Sequence, residues 1–274
     1  MSENPSLTAR APGRRRRSGT RTRAERIVGM ASPIVLLLLW EFAARAGLID
    51  VRIIPAPTTV ATVIWGMAVH GSLVSDTAYT VTRFLTGMAL GVVPGVIVGL
   101  TMGLFRWVGI VFSPIIAVFY NVPRIALFPL VLIIVGLNES SNILMIALGP
   151  FFTMLITAMG AVRNVEQIYR DVARNFAAGP RHLYFMVVLP AIAPTLMDGL
   201  RISVGLGLLG TIAVEFLVAE NGLGHVIWNS WQVLSLSQSM AGLVMGAIVG
   251  YVFYASLALV ERALLPWHQP TQFN

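Results

Sequence analysis

Six stretches of mostly apolar residues, each near the length that crosses a bilayer as a helix, dominate the sequence: 27–46, 83–104, 108–137, 142–162, 196–219 and 240–265. A helix rises about 1.5 Å per residue, so roughly 20 apolar residues bridge a hydrocarbon layer of about 30 Å. The expected fold class is therefore all-α, a polytopic membrane helix bundle of about six transmembrane helices. Composition points the same way, because 56% of the 274 residues are hydrophobic and only 11% charged. An ordinary soluble domain carries about a quarter charged residues.

The third stretch is too long for one simple span and contains Pro114, Pro123 and Pro129. Proline removes a backbone donor and kinks or ends a helix, so this stretch is expected to combine a short interfacial helix with a span. Ala44-Arg45-Ala46 imitates the cleavage site of a signal peptide. The apolar run before it is close to spanning length and further spans follow, so it is read as a retained first helix.

All 19 basic residues are arginine, and eight of them (Arg10, Arg14 to Arg17, Arg21, Arg23, Arg26) precede the first apolar stretch. Such a tail binds nucleic acid or anionic lipid in some proteins, but beside a hydrophobic span it marks the cytoplasmic side. With the N-terminus inside, six crossings return the C-terminus to the cytoplasm. The inner side then also holds Arg106, Arg163, Arg170, Arg174, Arg181 and Arg262, against Arg45, Arg52 and Arg83 outside. That asymmetry follows the positive-inside rule. The expected partner of the surface is membrane lipid, with no nucleic acid. The chain has no cysteine, and His70, His182, His225 and His268 lack metal-ligand spacing, so no metal or cofactor is expected.

Glycine recurs every fourth residue at Gly87, Gly91, Gly95, Gly99 and Gly103, and again at Gly242, Gly246 and Gly250. That spacing keeps the missing side chains near one helix face, where a neighbouring backbone can approach closely. Charged residues at membrane depth are costly and each asks for a reason. Asp198 and Arg201, three apart, are expected to pair with each other, as are Glu41 and Arg45. Glu215 has no basic neighbour along its own helix and is read either as lining a pathway or as an interhelical hydrogen-bonding group. Arg83 and Arg124 are the cations that could attract an anionic solute there.

The inner loop from 163 to 190 keeps a pattern although it leaves the membrane. Val165, Ile168, Tyr169, Val172 and Phe176 recur at helical spacing, and Asn164 with Gln167 resembles a capping box. Gly179-Pro180 ends this short amphipathic helix, and a second runs from 181 into Pro190. By pattern alone it could lie on the lipid surface or dock on a partner. Its sequence reads Asp171-Val172-Ala173, three residues, Ala177, nine residues, then Val187-Val188-Leu189-Pro190. This resembles the Glu-Ala-Ala, Gly, Ile-x-Leu-Pro loop of the permeases of ATP-binding-cassette importers, with Ala177 in place of the motif glycine. Pro55-Ala56-Pro57, Arg83 with its following glycines, residues 121–129, Ala161 to Val165, Gly199-Leu200-Arg201 and Val214-Glu215 look like the nitrate, sulfonate and taurine branch of that family.

The resemblance implies a type I importer permease fold, inner-membrane localisation, and a loop at 164–190 that docks on a separate ATPase through Ile168, Asp171, Val172, Ala173, Arg174, Phe176, Ala177, Val187, Leu189 and Pro190. It implies as partners ABC ATPase subunits, an extracytoplasmic substrate-binding protein and a second copy of the chain as a homodimer. The chain itself has no phosphate-binding loop of the G-x-x-x-x-G-K-[ST] form and is not expected to be an enzyme. The organisation expected is an Arg-rich tail at 1–26, a first span and outer loop at 27–82, a permease core at 83–265 and a short cytoplasmic tail at 266–274. The competing reading is an ion-gradient-driven secondary transporter built around Glu215.

Overall fold

The computed structural model describes residues 23–165, 179 and 183–267. The chain divides into two units, Met1–Ile49 and Asp50–Asn274. In the first, α1 (Arg23–Arg45) is one helix with Pro33 inside it, and Arg45 Nε reaches Glu41 Oε1 at 2.6 Å, the pair that the four-residue spacing anticipates.

The second unit holds the bundle. After α2 (Pro57–His70), α3 (Leu73–Leu104) begins ten residues before the expected span. Asp76, Thr77 and Thr80 look like loop residues in sequence, yet Thr77 Oγ1 donates to Leu73 O and Thr82 Oγ1 to Ala78 O. Hydroxyls that bond back to their own helix need no water, so they travel into the membrane at little cost. The broken stretch forms α4 (Arg106–Asn121), a 3₁₀ turn (Arg124–Leu127) and α5 (Phe128–Val135), with a 93° bend between its two limbs. Only Pro123 breaks it. Pro114 is inside α4, and Pro129 occupies the first turn of α5, where the missing N–H leaves nothing unpaired.

Then follow α6 (Glu139–Arg163), a π-helical turn (Leu183–Val188), α7 (Leu189–Val218), α8 (Leu223–Gln232) and α9 (Leu236–Leu264). Four helices of the described residues are long and apolar enough to cross a membrane, and the bent pair makes up to five. No strand occurs among the described residues. Asn164, expected to start the loop helix, instead caps the C-terminal end of α6 through its N–H to Gly160 O.

The glycine series has a specific partner. A Cβ added at Gly95 would stand 2.5 Å from Phe151 O, and one at Gly103 2.7 Å from Val162 Cβ; those at Gly91 and Gly99 would meet the carbonyls of Ala147 and Leu155, and that at Gly87 the Ile146 side chain. Positions rise together on both helices, so α3 and α6 run parallel with their backbones in contact over about 24 Å. On α9 the contact is softer: an added Cβ at Gly246 or Gly250 would stand 3.2 or 2.9 Å from the side-chain ends of Ile212 and Leu208 on α7, and one at Gly242 2.8 Å from Ile227 Cγ1 on α8. Here numbers fall on α7 as they rise on α9, so these helices are antiparallel. The core between them holds Phe84, Met88, Val204, Leu208 and Val249, with Phe84 and Phe253 ring centroids 4.6 Å apart.

Candidate functional site

Asp76, Thr80 and Arg83 follow each other on α3 at spacings of four and three, so they share one face, and that face is buried. It meets three other elements: the start of α6, where Asn138 and Ser141 form a capping box and Glu139 opens the helix; the end of α7 at Glu215; and the turn into α8. Glu215 is 1% exposed and Arg83 4%. Sequence spacing gives Glu215 no cation, but Arg83 supplies one from α3, with Nη1 3.0 Å from Glu215 Oε1.

Every N–H of Arg83 is engaged. Nε donates to Glu139 Oε1 (2.5 Å), Nη1 to Glu215 Oε1 (3.0 Å) and Asn221 O (2.7 Å), and Nη2 to Glu139 Oε2 (3.1 Å) and Asn221 Oδ1 (2.5 Å). A guanidinium has five donors, and here each has an acceptor. Its face also lies 5.6 Å from the Tyr79 ring centroid. The first residues of α8 use the remaining acceptors. Gly222 N–H donates to Asp76 Oδ1 (2.8 Å), Leu223 N–H to Thr80 Oγ1 (2.8 Å) and Gly224 N–H to Glu215 Oε2 (3.0 Å), while the Thr80 hydroxyl donates to Glu215 Oε2 (2.8 Å). The unpaired donors of a helix start are thus satisfied by buried acids, an arrangement the helix dipole favours. Gly222 has φ +108°, and a Cβ there would strike the Glu215 carboxyl.

This network fastens α3, α6, α7 and α8 together at the bundle end opposite Arg163 and Leu189. A cleft of about 270 Å³ opens beside it, between Asn138, Glu139 and Asn142 of α6 and residues 218–221. Sequence reasoning found Arg83 and Glu215 but missed Asp76, Thr80, Glu139 and Asn221. The detectable signal was a polar residue at every third or fourth position leading into an apolar helix.

A second buried group lies toward the other end. Arg201 Nη1 reaches Asp198 Oδ1 at 3.7 Å, the expected i,i+3 pair, but the Asp198 side chain is 66% exposed. The close partner of Arg201 is Glu261 of α9, whose side chain is 4% exposed, through Nη2 and Oε2, with the Tyr254 ring 5.6 Å from the guanidinium. Helix spacing names neighbours on the same helix and cannot see a carboxylate 60 residues on.

Arg124 opens the 3₁₀ turn after Pro123, and its guanidinium carbon is 5.8 Å from the Tyr120 ring centroid. Of the loop residues read as ATPase-coupling, Ile168, Asp171, Val172, Ala173, Arg174, Phe176 and Ala177 lie outside the described residues. Val187 is half-buried in the π-helical turn, and Leu189 and Pro190 are exposed in the first turn of α7. Among the described residues no group of three His, Cys, Asp or Glu side chains is placed to hold a metal.

Helices long and apolar enough to span a membrane, with a break at Pro123 and buried ion pairs between them, define a polytopic membrane protein. The sequence profile of binding-protein-dependent transport system inner membrane components matches residues 91–268, and the chain belongs to that family. It is 31% identical to SsuC of Escherichia coli strain K12, assigned as an aliphatic sulfonates transport permease, over 86% of this chain and 90% of the relative. It is 30% identical to the taurine transport system permease protein TauC of the same strain, over 87% and 88%. SsuC of Bacillus subtilis strain 168 is 27% identical over 96% and 93%. The sequence resemblance to ABC importer permeases of the sulfonate and taurine branch therefore holds. The fold is shared with an inward-facing MetNI methionine ABC transporter, with a TM-score of 0.59 at 22% identity, covering 70% of this chain and 95% of that one. The chain is accordingly a multi-pass inner-membrane permease of the ABC transporter class with a type I importer permease fold.

Proposed function

We propose that this chain forms, with a second permease subunit, the translocation pathway of an ATP-driven importer. Its loop at 164–190 takes up the motion of a separate ATPase, and a soluble binding protein delivers the solute from outside. In this reading both termini are cytoplasmic, as the arginine asymmetry requires. The second subunit is another copy of this chain, a choice that rests on the resemblance alone. The solute is a small sulfonate, nitrate or a related organic solute, in keeping with the relatives named for sulfonates and taurine.

The observation that carries the reading is the path of α7. It starts at Leu189 and Pro190, the last two residues of the coupling register, and holds Glu215 near its far end. The 26 helical steps from Leu189 to Glu215 make a lever of about 39 Å. A push on the loop is delivered to the base of that lever, and its tip is tied to α3, α6 and α8 through the Arg83 network. Opening and closing of the outer end is thus mechanically linked to the loop, with no nucleotide chemistry on this chain. An apolar ridge of Ile168, Val172 and Phe176 provides buried contact for docking, and Asp171 and Arg174 fix orientation by charge. Gly87 to Gly103 keep α3 and α6 moving as one body, while the softer contacts of Gly242, Gly246 and Gly250 allow α9 to shift.

The test is affinity purification of the tagged chain from its native host in mild detergent, with mass spectrometry and an ATPase assay. A co-purifying ATPase that is lost on Asp171→Arg or Phe176→Ala, and uptake abolished by a bulky Ala177→Phe, are the expected results. A chain that purifies alone and transports under an ion gradient without ATP overturns the proposal in favour of a secondary transporter.

A further inference from the structure

Among the described residues, Arg83, Arg124 and Arg201 lie within the bundle, and two of them are already neutralised. All five donors of Arg83 are taken by Glu139, Glu215 and Asn221, and Arg201 is held by Glu261. Arg124 differs. Among the described residues it has no carboxylate within ion-pair distance, and its recorded partner is the face of Tyr120.

Its depth is fixed by α6. Arg124 Nη1 lies over Gly149, 3.7 Å from where a Cβ would stand. Gly149 is ten residues from Glu139 and fourteen from Arg163, the two ends of α6, which is about 15 Å and about 21 Å along the axis. The guanidinium is therefore near the middle of the membrane layer, at the one sharp break among the described spanning segments, and half-exposed. A lone cation at that depth is held only where it faces water or meets an anion. Cation–π contact with Tyr120 orients the guanidinium and leaves its N–H edges free, and those edges match the paired oxygens of an oxyanion.

We propose that Arg124 is the anion-holding residue of the pathway, receiving the sulfonate group of the solute midway through the membrane while Arg83 serves as a structural clasp. This inference rests on the reading of the chain as an importer of small sulfonates and assigns the charge recognition within it to one side chain.

The experiment uses the whole complex of permease, ATPase and binding protein reconstituted in lipid vesicles, with labelled ethanesulfonate as probe. The expected result for Arg124→Gln is uptake lowered tenfold or more, with binding-protein-stimulated ATPase activity within twofold of wild type, and Arg124→Lys keeping at least a third of the uptake. Uptake by Arg124→Gln within twofold of wild type overturns the inference and leaves the importer reading standing. A wild-type complex that imports no ethanesulfonate removes the sulfonate reading and this inference together. Should Arg124→Gln not assemble, the wild-type complex still decides the matter through arginine modification by phenylglyoxal, read peptide by peptide. Turnover with ethanesulfonate should slow modification of Arg124 fivefold or more and leave Arg163 unchanged; an unchanged rate at Arg124 overturns the proposal.

Discussion

Arg83 and Glu215, 132 residues apart in sequence, meet at 3.0 Å in a site where neither is more than 5% exposed. Removing one member of a buried pair leaves an uncompensated charge, which costs about 3–5 kcal/mol. Arg83→Met strands Glu215 and also deprives Glu139 and Asn221 of donors, so it should lower the thermal unfolding midpoint in detergent sharply. Glu215→Gln keeps an oxygen for Gly224 N–H and Thr80 and should cost less, about 1–3 kcal/mol. The double variant Arg83→Met/Glu215→Gln should be more stable than the sum of the singles, because the worst defect of the first is relieved by the second. Additive effects of the two would show that the pair is not coupled.

The α3 glycines and the open glycines of α7 should respond in opposite ways. At Gly91 and Gly95 an added Cβ runs into the α6 backbone carbonyls of Ala147 and Phe151, so α3 and α6 must part along their length. Alanine there should destabilise by about 1–3 kcal/mol, as overpacking does. At Gly250 the obstacle is one methyl of Leu208, which can rotate, and at Gly205 and Gly210 nothing lies within 4 Å. Gly205→Ala should be neutral or stabilising by up to about 1 kcal/mol, the usual helix preference for alanine. Equal losses at Gly95 and Gly205 would mean that the α3–α6 contact is not what holds the series.

The contrast between those helices also marks what the sequence discloses. Spanning length and composition announce the helices, because lipid leaves the backbone no alternative. Glycine periodicity announces a close contact but not its partner, since an absent side chain carries no complement. The start of α3 was hidden because threonines that bond to their own helix look like loop residues. Among Pro114, Pro123 and Pro129, which one breaks the segment depends on where the first turn of α5 falls. The Arg83–Glu215 and Arg201–Glu261 pairs were invisible for one reason: helical spacing predicts neighbours three or four residues apart, whereas both pairs bridge different helices.

Gly222 is a position where backbone conformation, not packing alone, demands glycine. Its φ of +108° is costly for any residue with a Cβ, and that Cβ would meet the Glu215 carboxyl. Gly222→Ala should therefore undock the start of α8 from Asp76, Thr80 and Glu215. Trp228 and Trp231 on α8 stack at 5.1 Å, and Trp228 packs on Phe216 at 4.5 Å, so their fluorescence reports the change. A shifted emission and faster proteolysis at residues 219–235 are expected, with a stability loss of about 1–3 kcal/mol. An unchanged spectrum would show that α8 stays in place without its capping acids.

The acids around Arg201 should separate cleanly by burial. Asp198 is mostly exposed and 3.7 Å away, a geometry in which ion pairs contribute about 0–1 kcal/mol, so Asp198→Asn should change stability little. Glu261 is buried on α9 and closely bonded to Arg201, so Glu261→Ala leaves a guanidinium with its Nη2 unpaired between two spanning helices. That change should cost about 3–5 kcal/mol and loosen α9 from α7, seen as a lower unfolding midpoint and faster hydrogen exchange in both helices. Glu261→Gln should recover part of the loss by keeping one acceptor. If Asp198→Asn proved the more damaging change, the three-residue pairing along α7 would be the dominant one and Glu261 a bystander.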